Sequence, residues 1–175
     1  MRTMLICDNG VEECEALLTY DMLYRAEVDI DIVGIHEEIT SSHDVVFKPQ
    51  LLLKDINLND YECLIIPGGS IGTVNLKNNK DVSDLIDLFV KENKLICAIC
   101  AGPSILLEKG LLKDNEFTCA PGCECGYIST KEKAHKHNNF ITGIGLGGTF
   151  EFANMIIEEM KGKEILDKVL KKINY

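Results

Sequence analysis

The sequence has no tryptophan and only 6% aromatic residues, so its core cannot be built on stacked rings. Ile, Leu, Val and Ala must fill it instead, the mixture used by helices packed on a parallel sheet. Long apolar runs are also missing: none approaches the roughly 20 residues of a membrane-spanning helix, and no membrane partner is expected. A strand-like pattern begins almost at Met1, leaving no room for a secretory leader, and a cytoplasmic location is expected. Positive charge is scarce, with 18 Lys and Arg against 28 Asp and Glu. The net charge of -10 disfavours nucleic acid as a partner, because a phosphate backbone needs a basic patch. The one basic cluster, Lys168, Lys171 and Lys172, reads as a solvated helix end complementing the dipole. There is no repeat, low-complexity segment or Ser/Pro linker, so residues 1–175 are expected to form one domain with an ample core.

Cysteine, by contrast, is plentiful, at eight residues. In a secreted chain this would suggest a stapled scaffold, but Cys7, Cys63 and Cys97 lie inside apolar strand patterns. That placement suits buried free thiols in a reducing compartment.

Apolar runs read as strands at Thr3 to Cys7, Val28 to Gly34, Glu62 to Ile66, Leu95 to Ala98, near Phe117, and at Phe140 to Gly143. Residues 44–48 and 50–53, around Pro49, read as a small antiparallel hairpin or bulged extension. Amphipathic stretches predict helices at Glu12 to Arg25, Val82 to Lys91, Gly102 to about Lys109, Phe150 to Met160 and Lys163 to Ile173. Strands alternating with helices imply an α/β fold, a mostly parallel sheet covered by helices on both faces. In such sheets the working site lies at the C-terminal ends of the strands, near the topological switch point.

Three loops fall there. In Ala98-Ile99-Cys100-Ala101-Gly102, small residues flank a nucleophile two places either side, the spacing of a nucleophile elbow. The helix that follows is expected to aim its N–H groups at the sulfur and lower its pKa, making Cys100 a reactive thiolate; the alternative is one more buried thiol. After the first strand come Glu12, Glu13 and Glu15. Glu12 and Glu13 read as ordinary first-turn acids, whereas Glu15 can enter the pocket and, if desolvated, stay protonated and donate a hydrogen bond to the sulfur. Pro67-Gly68-Gly69-Ser70 closes a strand, either as a plain tight turn or with the Gly69 and Ser70 amides holding an oxyanion.

At this point the chain resembles the ThiJ/PfpI superfamily, most closely the branch of the parkinsonism-associated deglycase. The matching pieces are Gly10 to Glu15, Tyr24-Arg25-Ala26, Asp44-Val45-Val46, Ile66 to Gly69, Ala98 to Pro103, and Gly148-Thr149-Phe150-Glu151-Phe152-Ala153. The resemblance implies a flavodoxin-like three-layer sandwich (class I glutamine amidotransferase-like) and a homodimer. It also implies a nucleophilic Cys100, a protonated Glu15 contacting it, and oxyanion or binding contacts from Gly69, Ser70 and Ala101. No metal or other cofactor is implied. That branch carries a His beside the cysteine; a gapless count places Gly126 there instead. His135 and His137 read as surface residues near the last strand, and His43 is expected near the dimer interface, serving the partner's site in trans.

Cys119, Cys123 and Cys125 crowd the segment expected to approach Cys100. Their spacing matches no common zinc knuckle; they read either as inert thiols or, for Cys123 and Cys125, as resolving thiols for an oxidised Cys100. Three functions follow. The first is stress-protective glyoxalase or deglycase chemistry on a small carbonyl or its thiol adduct. The second is redox sensing through Cys100, and the third is cysteine peptidase or amidase activity, which needs a His.

Overall fold

The computed structural model describes residues 2–175. Its main sheet has seven strands in the order β5-β2-β1-β6-β7-β9-β8. These are β1 (Arg2–Cys7), β2 (Asp29–Gly34), β5 (Leu51–Leu52), β6 (Tyr61–Ile66), β7 (Leu95–Ile99), β8 (Ala134–His137) and β9 (Phe140–Gly143). All neighbours pair parallel except the edge strand β8, which runs antiparallel to β9. From β1 the chain moves one way to β2 and then crosses back to β6, which puts the switch point between β1 and β6.

Alternation along the strands divides the core in two. Leu5, Cys7, Ile30, Ile32, Cys63, Ile65, Cys97 and Ile99 face one layer. It contains α1 (Glu13–Arg25), α5 (Thr149–Lys161) and α6 (Lys163–Ile173). Met4, Ile6, Leu64, Ile66, Ile96 and Ala98 face the other. That layer holds α2 (Ser70–Asn78), α3 (Lys80–Lys91) and α4 (Pro103–Glu108). In α3, Asn79 caps the N-terminus by accepting from the Asp81 and Val82 amides, and Val82, Leu85, Ile86 and Phe89 form the buried stripe. The flavodoxin-like three-layer architecture is therefore as expected.

Four details differ from the sequence reading. The small antiparallel pair joins β3 (Ile39–Thr40) to β4 (Val46–Phe47), and β5 instead extends the main sheet alongside β2. Helix α2 carries Gly72, Thr73, Val74 and Asn75, weak helix formers that hide its pattern. Gly72 is needed there because a Cβ would lie 2.6 Å from the Val11 amide nitrogen. The segment near Phe117 is not a strand: the Thr118 amide donates to the Thr142 hydroxyl, and the Phe117 carbonyl accepts from Thr130. Strand β8 is polar (Ala-His-Lys-His) and lacks any apolar signal, as suits an exposed edge.

Candidate active site

Strand β7 ends in a residue whose backbone is left-handed. Cys100 has φ +64°, rare for a residue with a Cβ and a store of about 1–3 kcal/mol of strain. The surroundings impose it: the Cys100 amide donates to the Gly143 carbonyl at 2.9 Å, and its carbonyl accepts from the Ala120 amide at 2.9 Å. Small neighbours are obligatory. A Cβ on Gly68 would stand 2.5 Å from the Cys100 Cβ, and one on Gly102 2.7 Å from the Ile66 carbonyl.

Glu15, on the first turn of α1, is 1% exposed and reaches the sulfur from below the β1 and β6 ends. The Gly68 amide donates to its Oε2 at 2.9 Å, and the carboxyl lies beside the Cys100 thiol, each group shifting the other's pKa. Its Oε1 has no partner. A side chain at Gly145 would lie 3.5 Å from Cys100 Sγ and 3.7 Å from Glu15 Oε1, so the two groups face one space that this glycine leaves open. Gly68 and Gly145 were missed as site residues; the Gly145 to Gly148 run was the available signal, and Gly68 lay one place before the pair chosen.

Burial pushes Glu15 up to about 7. For Cys100, burial first, then the charge and hydrogen bond of Glu15, push the thiol up to about 12 against the amides of Ala101 and Gly69. The expected lowering by a helix N-terminus does not occur. Helix α4 has six residues and begins at Pro103, which has no N–H. The Gly102 and Ser104 amides are already given to Ile99 and Ala101. Two negative charges this close disfavour one another, so a thiolate belongs to the state in which Glu15 holds the proton.

Around Cys100 opens a cleft of about 460 Å³, with walls that include Glu12, Ser42, His43, Ser70, Pro121 and Cys123. A larger concavity of about 640 Å³ at the other end of the strands, among Glu62, Lys94, Asn138 and Glu159, holds no nucleophile. The expected oxyanion residues Gly69, Ser70 and Ala101 all line the cleft beside Cys100, and the Ala101 and Gly69 backbones oppose the rise in its pKa. Gly69 has φ +100°, and a Cβ there would lie 2.2 Å from the Gly10 carbonyl. His43 stands on the rim of its own protomer's cleft. Its Nδ1 lies 2.8 Å from Glu13 Oε1, so Glu13 does more than complement a dipole.

Gly126 does not face Cys100; it is exposed, and a Cβ there would meet nothing within 4 Å. The loop instead presents Ala120, Pro121 and Cys123 to the cleft. Cys125 is not among the walls; its Sγ sits 3.9 Å from the Ser104 carbonyl. Burial raises the pKa of Cys119, Cys123 and Cys125, as it does that of Cys100. His36, His135 and His137 pair with Asp8, Glu132 and Glu116. Among the described residues, the only three ligand-type side chains close enough to share an ion are Glu12, Glu13 and His43, already bonded to one another and to Ser42.

A flavodoxin-like sandwich with a cysteine elbow on the strand next to its switch point, backed by a buried carboxyl, defines a class of α/β proteins with a cysteine site. The chain belongs to the DJ-1/PfpI family, whose model matches residues 1–159. It is 32% identical to the Parkinson disease protein 7 homolog of Danio rerio, over 96% of this chain and 94% of that one. It is 31% identical to the glutathione-independent glyoxalase DJR-1.2 of Caenorhabditis elegans, over 96% and 92%. The crystal structure of Drosophila melanogaster DJ-1beta superposes with a TM-score of 0.91 at 29% identity, covering 99% and 98% of the two chains.

Proposed function

We propose that this protein converts small reactive α-oxoaldehydes to hydroxy acids through Cys100, a glyoxalase- or deglycase-type activity in stress protection. The observation that carries this reading is the Cys100–Glu15 pair. A strained elbow presents the sulfur to a cleft lined by Gly69 and Ala101, and a buried carboxyl whose pKa burial raises to about 7 lies beside it. A group with that pKa both accepts and returns protons at neutral pH. The Caenorhabditis elegans relative, named as a glyoxalase, supports the same chemistry.

With methylglyoxal, the Cys100 sulfur bonds to the aldehyde carbon while its proton passes through Glu15 to the aldehyde oxygen, giving a hemithioacetal. The amides of Gly69 and Ala101 stabilise negative charge as it develops. The hydrogen on C1 then leaves as a proton, and one returns at C2, so C1 is oxidised to a thioester as C2 is reduced to an alcohol. Water cleaves the thioester, releasing lactate and the Cys100 thiol. The sum is methylglyoxal plus water giving lactate, with no external oxidant. Lactate formation by wild type and its loss in Cys100→Ser is the expected result; equal background rates in both would refute the reading. We expect a homodimer in the cytoplasm; among the described residues, no helix is long and apolar enough to cross a membrane.

A second reading rests on Cys123 sharing the cleft with Cys100. Peroxide would oxidise Cys100 to a sulfenate, and the Cys123 thiol would condense with it, expelling water and forming a disulfide. Intact mass after peroxide separates the cases: loss of two hydrogens marks the disulfide, added oxygen a sulfenate or sulfinate, and an unchanged mass removes the sensor role. Peptidase chemistry finds less support, since no histidine among the described residues contacts the Cys100 sulfur.

A further inference from the structure

Conversion of a hemithioacetal to a thioester needs a base for the C1 proton that can return it at C2. Glu15 is poorly placed to do this alone, because it is buried against the sulfur and already handles the thiol proton. The loop that would bring a histidine to this cleft presents Ala120, Pro121 and Cys123 instead.

We propose that His43, oriented by Glu13, is the proton-transfer base of the Cys100 cleft within the same protomer. This rests on the carbonyl reading above. His43 lies on the turn between β3 and β4, against the start of α1, and lines the same cleft as Cys100. Three contacts of its ring and one of the neighbouring Ser42 backbone fix it. Its Nδ1 lies 2.8 Å from Glu13 Oε1, 3.1 Å from the Ser42 hydroxyl and 3.7 Å from Glu12 Oε1, and the Ser42 amide donates to the Val11 carbonyl at 2.8 Å. Ser42 in turn donates toward Glu12 Oε2 at 2.9 Å and Glu13 Oε2 at 3.1 Å, so the carboxylates are held as well. With Nδ1 engaged, Nε2 has no hydrogen-bond partner among the described residues and is the nitrogen left for a substrate.

A carboxylate holding one imidazole nitrogen so that the other can move protons is the arrangement that activates bases in nucleophilic enzymes. Glu13 suits the orienting role. It opens the 13-residue helix α1, and its backbone, Ser41, Ser42 and His43 hold its pKa below the usual carboxylate range despite burial. Glu13 and Glu15 stand two residues apart on one helix turn, so α1 carries the rim carboxylate and the buried carboxyl together. The Glu12 amide ties this turn to the Gly68 carbonyl at 3.0 Å, fixing the rim relative to the elbow.

The test measures lactate formation from methylglyoxal by wild type, His43→Gln, His43→Ala and Glu13→Gln, alongside the rate of Cys100 alkylation by iodoacetamide. His43 is exposed, so neither substitution there threatens the fold. The expected result is a loss in kcat of about 10²- to 10⁴-fold in both His43 variants with KM little changed. Free imidazole should restore turnover to His43→Ala, and Cys100 alkylation should proceed at the wild-type rate, because His43 acts on substrate carbon and not on sulfur. Glu13→Gln should flatten the pH profile of kcat. Turnover within about twofold of wild type in His43→Gln, or no rescue by imidazole, overturns the proposal while leaving the Cys100 reading intact. A wild type that makes no lactate refutes both, and that result is distinguishable because it precedes any variant.

Discussion

Cys97 and Cys100 are three residues apart on one strand and its turn, yet their environments make them different chemical objects. Cys97 is fully buried between β6 and β9, its sulfur 3.9 Å from that of Cys63, and burial holds its thiol well above the ordinary range. Nothing reaches it but side chains. Cys100 has left the ladder, taken a left-handed backbone and turned its sulfur toward a cleft and a buried carboxyl. Reactivity here is a property of the turn, and the raised pKa of both thiols shows that burial alone does not separate them. What separates them is that Cys100 has a partner to take its proton.

The largest expected contrast is in turnover. Cys100→Ala should reduce lactate formation by at least about 10³-fold, whereas Cys97→Ala should leave it intact and lower stability by about 1–2 kcal/mol. Next is the pH dependence of stability from Glu15. Its folded pKa is raised from 4.5 to about 7, so folding disfavours its charge. The penalty is absent below about 4.5, grows as pH rises and is complete above about 7, reaching about 3 kcal/mol. Urea melts should therefore find Glu15→Gln more stable than wild type at pH 8 by up to about that amount, and equal to it at pH 4.

Smaller again is Gly68→Ala. Its Cβ would stand 2.5 Å from the Cys100 Cβ and 2.6 Å from Glu15 Oε2, and displacing that pair should lower kcat/KM by about 10²-fold. The smallest contrast concerns backbone strain. Cys100→Gly should be about 1 kcal/mol more stable than Cys100→Ala in thermal or urea unfolding, while at position 97 the order should reverse.

Much of this was legible because apolar periodicity and the small residues around Cys100 follow from local sterics. The pattern Ala98 to Gly102 announces an elbow since only small residues fit around a strained turn, and Glu15 was the acid within reach of it. Other features depend on packing that no local pattern carries. Helix α2 is built from weak formers and is held by Gly72 against Val11. The residues 117–120 are apolar but give their backbone bonds to Thr142, Thr130 and Cys100 instead of a ladder. The expected thiolate pKa failed for a similar reason, since the helix amides that would lower it are spent within the turn. His43 was read as a group for the partner's site; the folded turn between β3 and β4 also places it on the rim of the cleft that holds its own Cys100.

The most direct test of the account is to quench the enzyme with acid during turnover of methylglyoxal and map the modified peptides by mass. The account predicts a thioester on Cys100, absent from Cys100→Ala, with Cys97 unmodified. A thioester on any other cysteine, or undiminished lactate formation by Cys100→Ala, would contradict it.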